Sequence, residues 1–164
     1  MNPFHFISRY FWAISLAFSC FNYLAATRRL NATADAERIR LGQRYLRWFA
    51  ISGTVPWLVM GVGQIVGATP TVWYYFRPQD RNPFVIAWLA SLFLLSVFFA
   101  IWVFAADGAR KTRELELLSA IGMRSRKPMS EFFIKLFAAI GPAFVLLWAL
   151  LVVSMNAQIP VNAL

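Results

Sequence analysis

The side chains that carry most enzyme and cofactor chemistry are scarce in this chain, and their spacing excludes more than it offers. Haem ligation across helices usually takes two histidines, and the chain has one, His5. Thiol redox chemistry and structural zinc both rest on sets of cysteines, whereas Cys20 stands alone. His5 and the scattered serines form no recognisable set of nucleophile, base and orienting group. No glycine-rich loop is present to cradle a phosphate. Coupled transport usually relies on a carboxylate inside the membrane, yet the long apolar runs of this sequence hold no Asp or Glu. No metal or cofactor site is expected, and the balance leans away from an enzyme.

What remains inside the apolar runs is polar, small or kink-forming. Gln64 is the strongest hydrogen-bonding side chain there. Pro56 and Pro142 each remove a backbone donor and free the carbonyl four residues earlier, at Ser52 and Ala138. Pro56, Trp57, Gln64 and Pro142 make a candidate cavity. The plainer reading is that the prolines kink their helices and Gln64 hydrogen-bonds a neighbour. Ser15, Ser19 and Asn22 recur at spacings of four and three, which is one helical stripe. Ser52, Gly63 and Gly67 lie on a second stripe, the last two in a GxxxG spacing. Both stripes are candidate packing faces, because helices in lipid associate through small residues and interhelical hydrogen bonds.

Two charged groups lie outside the apolar runs. The segment Thr69–Phe84 combines an aromatic block with Arg77, Asp80, Arg81 and Asn82 among three prolines, Pro70, Pro78 and Pro83. Trp73, Arg77, Asp80, Arg81 and Asn82 are candidate contacts for a ligand or partner. The bland alternative is an interfacial aromatic belt whose turn is held by Arg77–Asp80 or Asp80–Arg81. Arg44, Arg47, Arg110, Arg113 and Arg124 are candidate contacts for anionic lipid headgroups.

The elements that must position these groups follow from composition. Hydrophobic residues make up 60% of the 164 and charged residues 14%, against about half and about a quarter in a soluble domain. All charges but Lys135 fall outside four apolar runs, Tyr10–Ala26, Trp48–Gly67, Phe84–Ala106 and Phe132–Met155. As helices these are roughly 26, 30, 34 and 36 Å long, enough to cross a hydrocarbon core of about 30 Å, the first only just. The expectation is an all-α integral membrane protein. It is read as one domain over residues 1–164, a four-helix bundle with connections at 27–47, 68–83 and 107–131.

The connections also predict orientation. The first holds Arg28, Arg29, Arg38, Arg40, Arg44 and Arg47, and the third holds Arg110, Lys111, Arg113, Arg124, Arg126 and Lys127. The second holds only Arg77 and Arg81, and the N-terminal segment only Arg9. That asymmetry predicts cytoplasmic first and third connections and termini outside. A bacterial inner membrane is the simplest location. The charge of +9 is therefore read as an orientation signal rather than a nucleic-acid footprint. The segment 34–47 has a basic amphipathic pattern that predicts a helix, either prolonging the second span or lying on the membrane surface. A similar pattern predicts a helix from Ala109 to Ile121, with Gly122 as its stop and Ser130 capping the fourth span.

Packing signals are plentiful and reactive groups are few, which favours a non-catalytic accessory or scaffold subunit packing against other membrane helices or copies of itself. The alternatives are a small oligomeric channel or carrier around Pro56 and Gln64, and an enzyme acting on a lipid at the cytoplasmic interface. Membrane lipids, including anionic headgroups, are expected partners, and nucleic acid is not.

Overall fold

The computed structural model describes residues 3–33, 36–118 and 129–155, and every regular element among them is helical. Helix α1 runs Pro3–Thr33 and α2 Ala36–Ile65. Two short 3-10 turns, Val72–Phe76 and Pro78–Asp80, lead to α3, Pro83–Ala105. A short α4, Gly108–Glu114, precedes α5, Glu131–Met155. Three helices, α2, α3 and α5, are long and apolar enough to cross a membrane. Helix α1 is as long, 31 residues, but is not one of these three.

Local chemistry sets the helix ends. Asn82 accepts from the Phe84 N–H at 3.0 Å while Pro83, which has no N–H, occupies the first helical position, so the first two positions of α3 leave no spare donor. Ser130 Oγ accepts from the Phe133 N–H at 3.4 Å at the start of α5. Beyond α2, Gly67 takes a left-handed conformation, φ +77°, which ends a helix cheaply only when no Cβ is present. The basic segment after α1 prolongs α2, which is continuous from Ala36. The third connection differs from the expected helix to Ile121. Helix α4 stops at Glu114, and Glu116 turns left-handed at φ 50°, which lets Leu115 and Leu117 fold inward. Gly122 and Arg124 fall outside the described residues.

A closed four-helix bundle brings its first helix against its last. Here the extended contacts run from α1 to α2, α2 to α3 and α3 to α5, an open row. The row is tied at both ends. At one end Leu30, Leu46, Leu115 and Leu117 form a buried cluster, and the Arg38 guanidinium donates to the Glu114 carbonyl. At the other, the connection between α2 and α3 folds inward as an aromatic plug. Phe4 of α1 stacks on Trp73 at 5.6 Å, Trp73 meets Phe76 at 6.0 Å, and Phe76 meets Trp148 of α5 edge-on at 5.9 Å. The two outermost helices of the row are thus joined through the rings of one short segment.

Candidate membrane-embedded binding site

Helices α1 and α2 are antiparallel and touch at two glycines. A Cβ at Gly42 would lie 2.5 Å from Leu30 Cδ2, and one at Gly61 would lie 2.7 Å from Trp12 Cε3. These contacts set a register in which Asn22 falls opposite Ala50, Ser19 opposite Gly53 and Ser15 opposite Trp57. Between the contacts, about 28 Å apart along α2, Asn22 faces Ala50 and Ser19 faces Gly53, with no large side chain between either pair. The helices cannot close the gap, and a crevice of about 480 Å³ is left, with Ile14, Phe18, Phe49 and Trp57 as its apolar walls.

The polar groups along the crevice are not equivalent. Ser19 Oγ donates to the Ser15 carbonyl at 2.8 Å, so its proton is used within its own helix. Asn22 is 9% exposed, and its Nδ2 has no hydrogen-bond partner. Trp73 and Trp88 Nε1 and the hydroxyls of Thr27, Thr71 and Thr112 are also buried without partners. Of these atoms, only Asn22 Nδ2 belongs to a residue lining this crevice or either of two others, an aromatic groove between α2 and α3 and a polar hollow beside Arg38. A buried amide donor without an acceptor costs about 1–3 kcal/mol.

The remaining residues of the two expected packing stripes separate. Ser52 lies on the α2–α3 groove of about 340 Å³ and donates to the Trp48 carbonyl at 2.7 Å. Gly63 faces the connection after α2 and the start of α3 rather than α1. Its hydrogen side admits Tyr75 Oη and Thr69 Oγ1, which a Cβ would meet at 2.5 and 2.7 Å. Gly67 meets nothing within 4 Å and serves as the chain reversal, so within the chain the two glycines do not share one contact.

The four residues of the expected cavity are not brought together. Pro56 is buried within α2, and Trp57 packs edge-on against Phe11 at 5.8 Å. Pro142 lies on α5, next to Gly141, whose nearest neighbour is Ser96 of α3. Gln64 is a clamp. Its amide nitrogen donates to the Arg9 carbonyl, and its oxygen accepts from the Val72 N–H at 3.2 Å, the orientation that satisfies both ends. Tyr10, directly after that carbonyl, leaves helical geometry at φ −109°, ψ 17°. The bend in α1 thus has a cause in a side chain reaching its backbone.

In the aromatic connection, Arg77 pairs with Asp80 at 3.1 Å and Arg81 takes a left-handed turn at φ 53°. Asn82 Nδ2 donates to the Ala68 carbonyl at 2.7 Å, tying the two ends of the loop together. Trp73 is half-buried against Phe4. The centre of the plug is Tyr75, fully buried, bonded to Thr69 and to the Met60 carbonyl. Burial pushes its phenol above the usual 10.0, and the Thr69 hydrogen bond pulls partly back. Nothing local in four consecutive aromatics singles it out. Ala50 and Gly53 were equally silent as crevice residues, although with Trp57 they keep the helical spacing of one face.

The basic candidates do not converge. Arg110 pairs with Asp107 at 2.7 Å and Arg113 with Glu131 at 3.3 Å, while Arg44 and Arg47 are exposed along α2. No family model, curated protein or solved structure matches the chain. Among the described residues, no group of three or more His, Cys, Asp or Glu could hold a metal ion.

Proposed function

We propose that the chain is a non-catalytic accessory or scaffold subunit of a membrane assembly, with α1, α2, α3 and α5 all crossing the bilayer. The basic connections are cytoplasmic and both termini outside, in a membrane such as the bacterial inner membrane. The observation that carries the subunit reading is the open row of helices. Helix α5 buries a single stripe, Ile134, Ala138 and Val152, and leaves Phe132, Phe137, Phe144, Leu147 and Leu150 exposed. A row leaves both broad faces for lipid or for further helices, and shape-matched helices pack there as they do within the row. The crossing of α1 is supported by its contact with α2 from Trp12 to Leu30, which spans its apolar run. Orientation is supported by the basic residues of the two connections. No observation favours the carrier or the lipid-enzyme reading.

Purification from native membrane in mild detergent tests the subunit reading. A defined second membrane component, or a stable oligomer, is expected to elute with the chain. A chain that runs as a monomer in every mild detergent overturns it. Single cysteines placed at Arg40 and Asp80 in a Cys20→Ser background test orientation. Impermeant thiol reagent added outside should label the Asp80→Cys chain and spare Arg40→Cys.

A further inference from the structure

The crevice between α1 and α2 has the properties of a lipid seat. Its walls are apolar and aromatic, it is open on one side, and among its lining residues is Asn22, whose buried Nδ2 has no acceptor. Two candidate occupants differ in thickness. A third helix is about 10 Å across, and α1 and α2 are held in contact at Gly42 and Gly61, so no helix can enter between them. An extended acyl chain is one methylene thick and can.

The missing acceptor identifies the part of the lipid that binds. Asn22 needs an oxygen that accepts without bringing a second donor, and an ester carbonyl is such a group. Its place along the helices agrees. Ala50 lies opposite Asn22, and the exposed Arg47 comes three residues earlier in α2, about 4.5 Å nearer the arginine-rich end. In a glycerophospholipid the phosphate likewise lies just beyond the ester groups.

We propose that this crevice seats one ester-linked glycerophospholipid, with an ester carbonyl accepting from Asn22 Nδ2, the acyl chain running past Ser19 and Ser15 to Trp57, and the phosphate toward Arg47. The proposal rests on α1 lying in the bilayer beside α2. It is independent of whether the chain is a subunit of anything.

The test is native mass spectrometry of the full chain titrated with dioleoyl phosphatidylglycerol and, separately, with its diether analogue, which lacks the carbonyl oxygens. The expected result is one diester lipid per chain, held about three- to tenfold more tightly than the diether, the worth of one hydrogen bond. In Asn22→Leu that preference should disappear. In Ala50→Trp, which fills the crevice, the bound lipid should be lost while helicity by circular dichroism stays unchanged. Equal binding of diester and diether by the unaltered chain overturns the proposal, whatever the variants do. So does retention of the preference in Asn22→Leu, or a chain that dimerises and holds no lipid.

Discussion

The phenol of Tyr75 donates to the backbone carbonyl of Met60 at 3.2 Å, across the space left by the missing side chain of Gly63. Thr69, itself bonded through its N–H to the Gly63 carbonyl at 3.0 Å, supplies the second partner of the same hydroxyl. Met60 and Gly63 of α2, Thr69 just beyond it and Tyr75 of the aromatic plug therefore share one contact, and the two hydroxyls occupy the place a Gly63 Cβ would take.

Gly63→Ala should be destabilising by about 1–3 kcal/mol, because the new methyl meets two hydroxyls and the Phe84 Cβ at once. Tyr75→Phe alone should cost about 1–2 kcal/mol. Combined, the two should cost less than their sum, since removing the phenol oxygen clears the nearest clash. Unfolding midpoints of the single and double variants in mild detergent measure this, and strict additivity would contradict the geometry.

The same phenol makes stability fall at high pH. Its folded value is raised above the ordinary 10.0, so the folded state holds the proton more tightly than the unfolded chain does. The stabilisation is complete below about pH 10 and is lost as pH rises through the folded value. The advantage of the unaltered chain over Tyr75→Phe should therefore shrink between about pH 8 and about pH 11. Thermal midpoints of both proteins at the two values provide the check.

Gly61→Ala should be more harmful than Gly42→Ala although its clash is slightly longer. At Gly42 the obstructing atom is a terminal methyl of Leu30, which can rotate away; at Gly61 it is the rigid indole of Trp12. About 1–3 kcal/mol is expected at Gly61 and less at Gly42. Equal losses in detergent unfolding would show that α1 is not held against α2 at the indole.

Gln64→Leu should cost about 1–3 kcal/mol, because it strips a partner from the Arg9 carbonyl and from the Val72 N–H. Amide hydrogen exchange localises the effect. Protection should fall at Val72 and its neighbours while the α3–α5 contact keeps its protection, and an unchanged Val72 would remove Gln64 from its clamping role.

Much of the architecture was legible because each signal was local. Asn82 followed by Pro83, and Ser130 before Glu131, announce helix starts through groups a few residues apart. The sequence pattern also pointed to the stripe Ser15, Ser19 and Asn22. Whether a stripe meets a helix, a loop or an empty crevice depends on the residues opposite it. Those belong to distant parts of the chain, and one-dimensional spacing does not contain them. Gly63 and Gly67 show the consequence. Their spacing is that of a packing face, yet one accommodates Tyr75 and the other reverses the chain. The end of α4 was misjudged for a related reason. The apolar period of Leu115 and Leu118 continues a helix on paper, whereas burial of Leu115 and Leu117 against Leu30 and Leu46 turns the backbone at Glu116 instead.

By itself the sequence pointed to long helices apolar enough for a membrane, because that follows from composition and from hydrogen bonds closed within each segment; four were expected, and three of the described helices are long and apolar enough. Only the tertiary structure decided which polar groups find partners. Gln64 reaches Arg9 and Val72, Tyr75 reaches Thr69 and Met60, and Asn22 Nδ2 reaches none, because two glycine contacts hold α1 and α2 at a spacing that small side chains between them cannot fill.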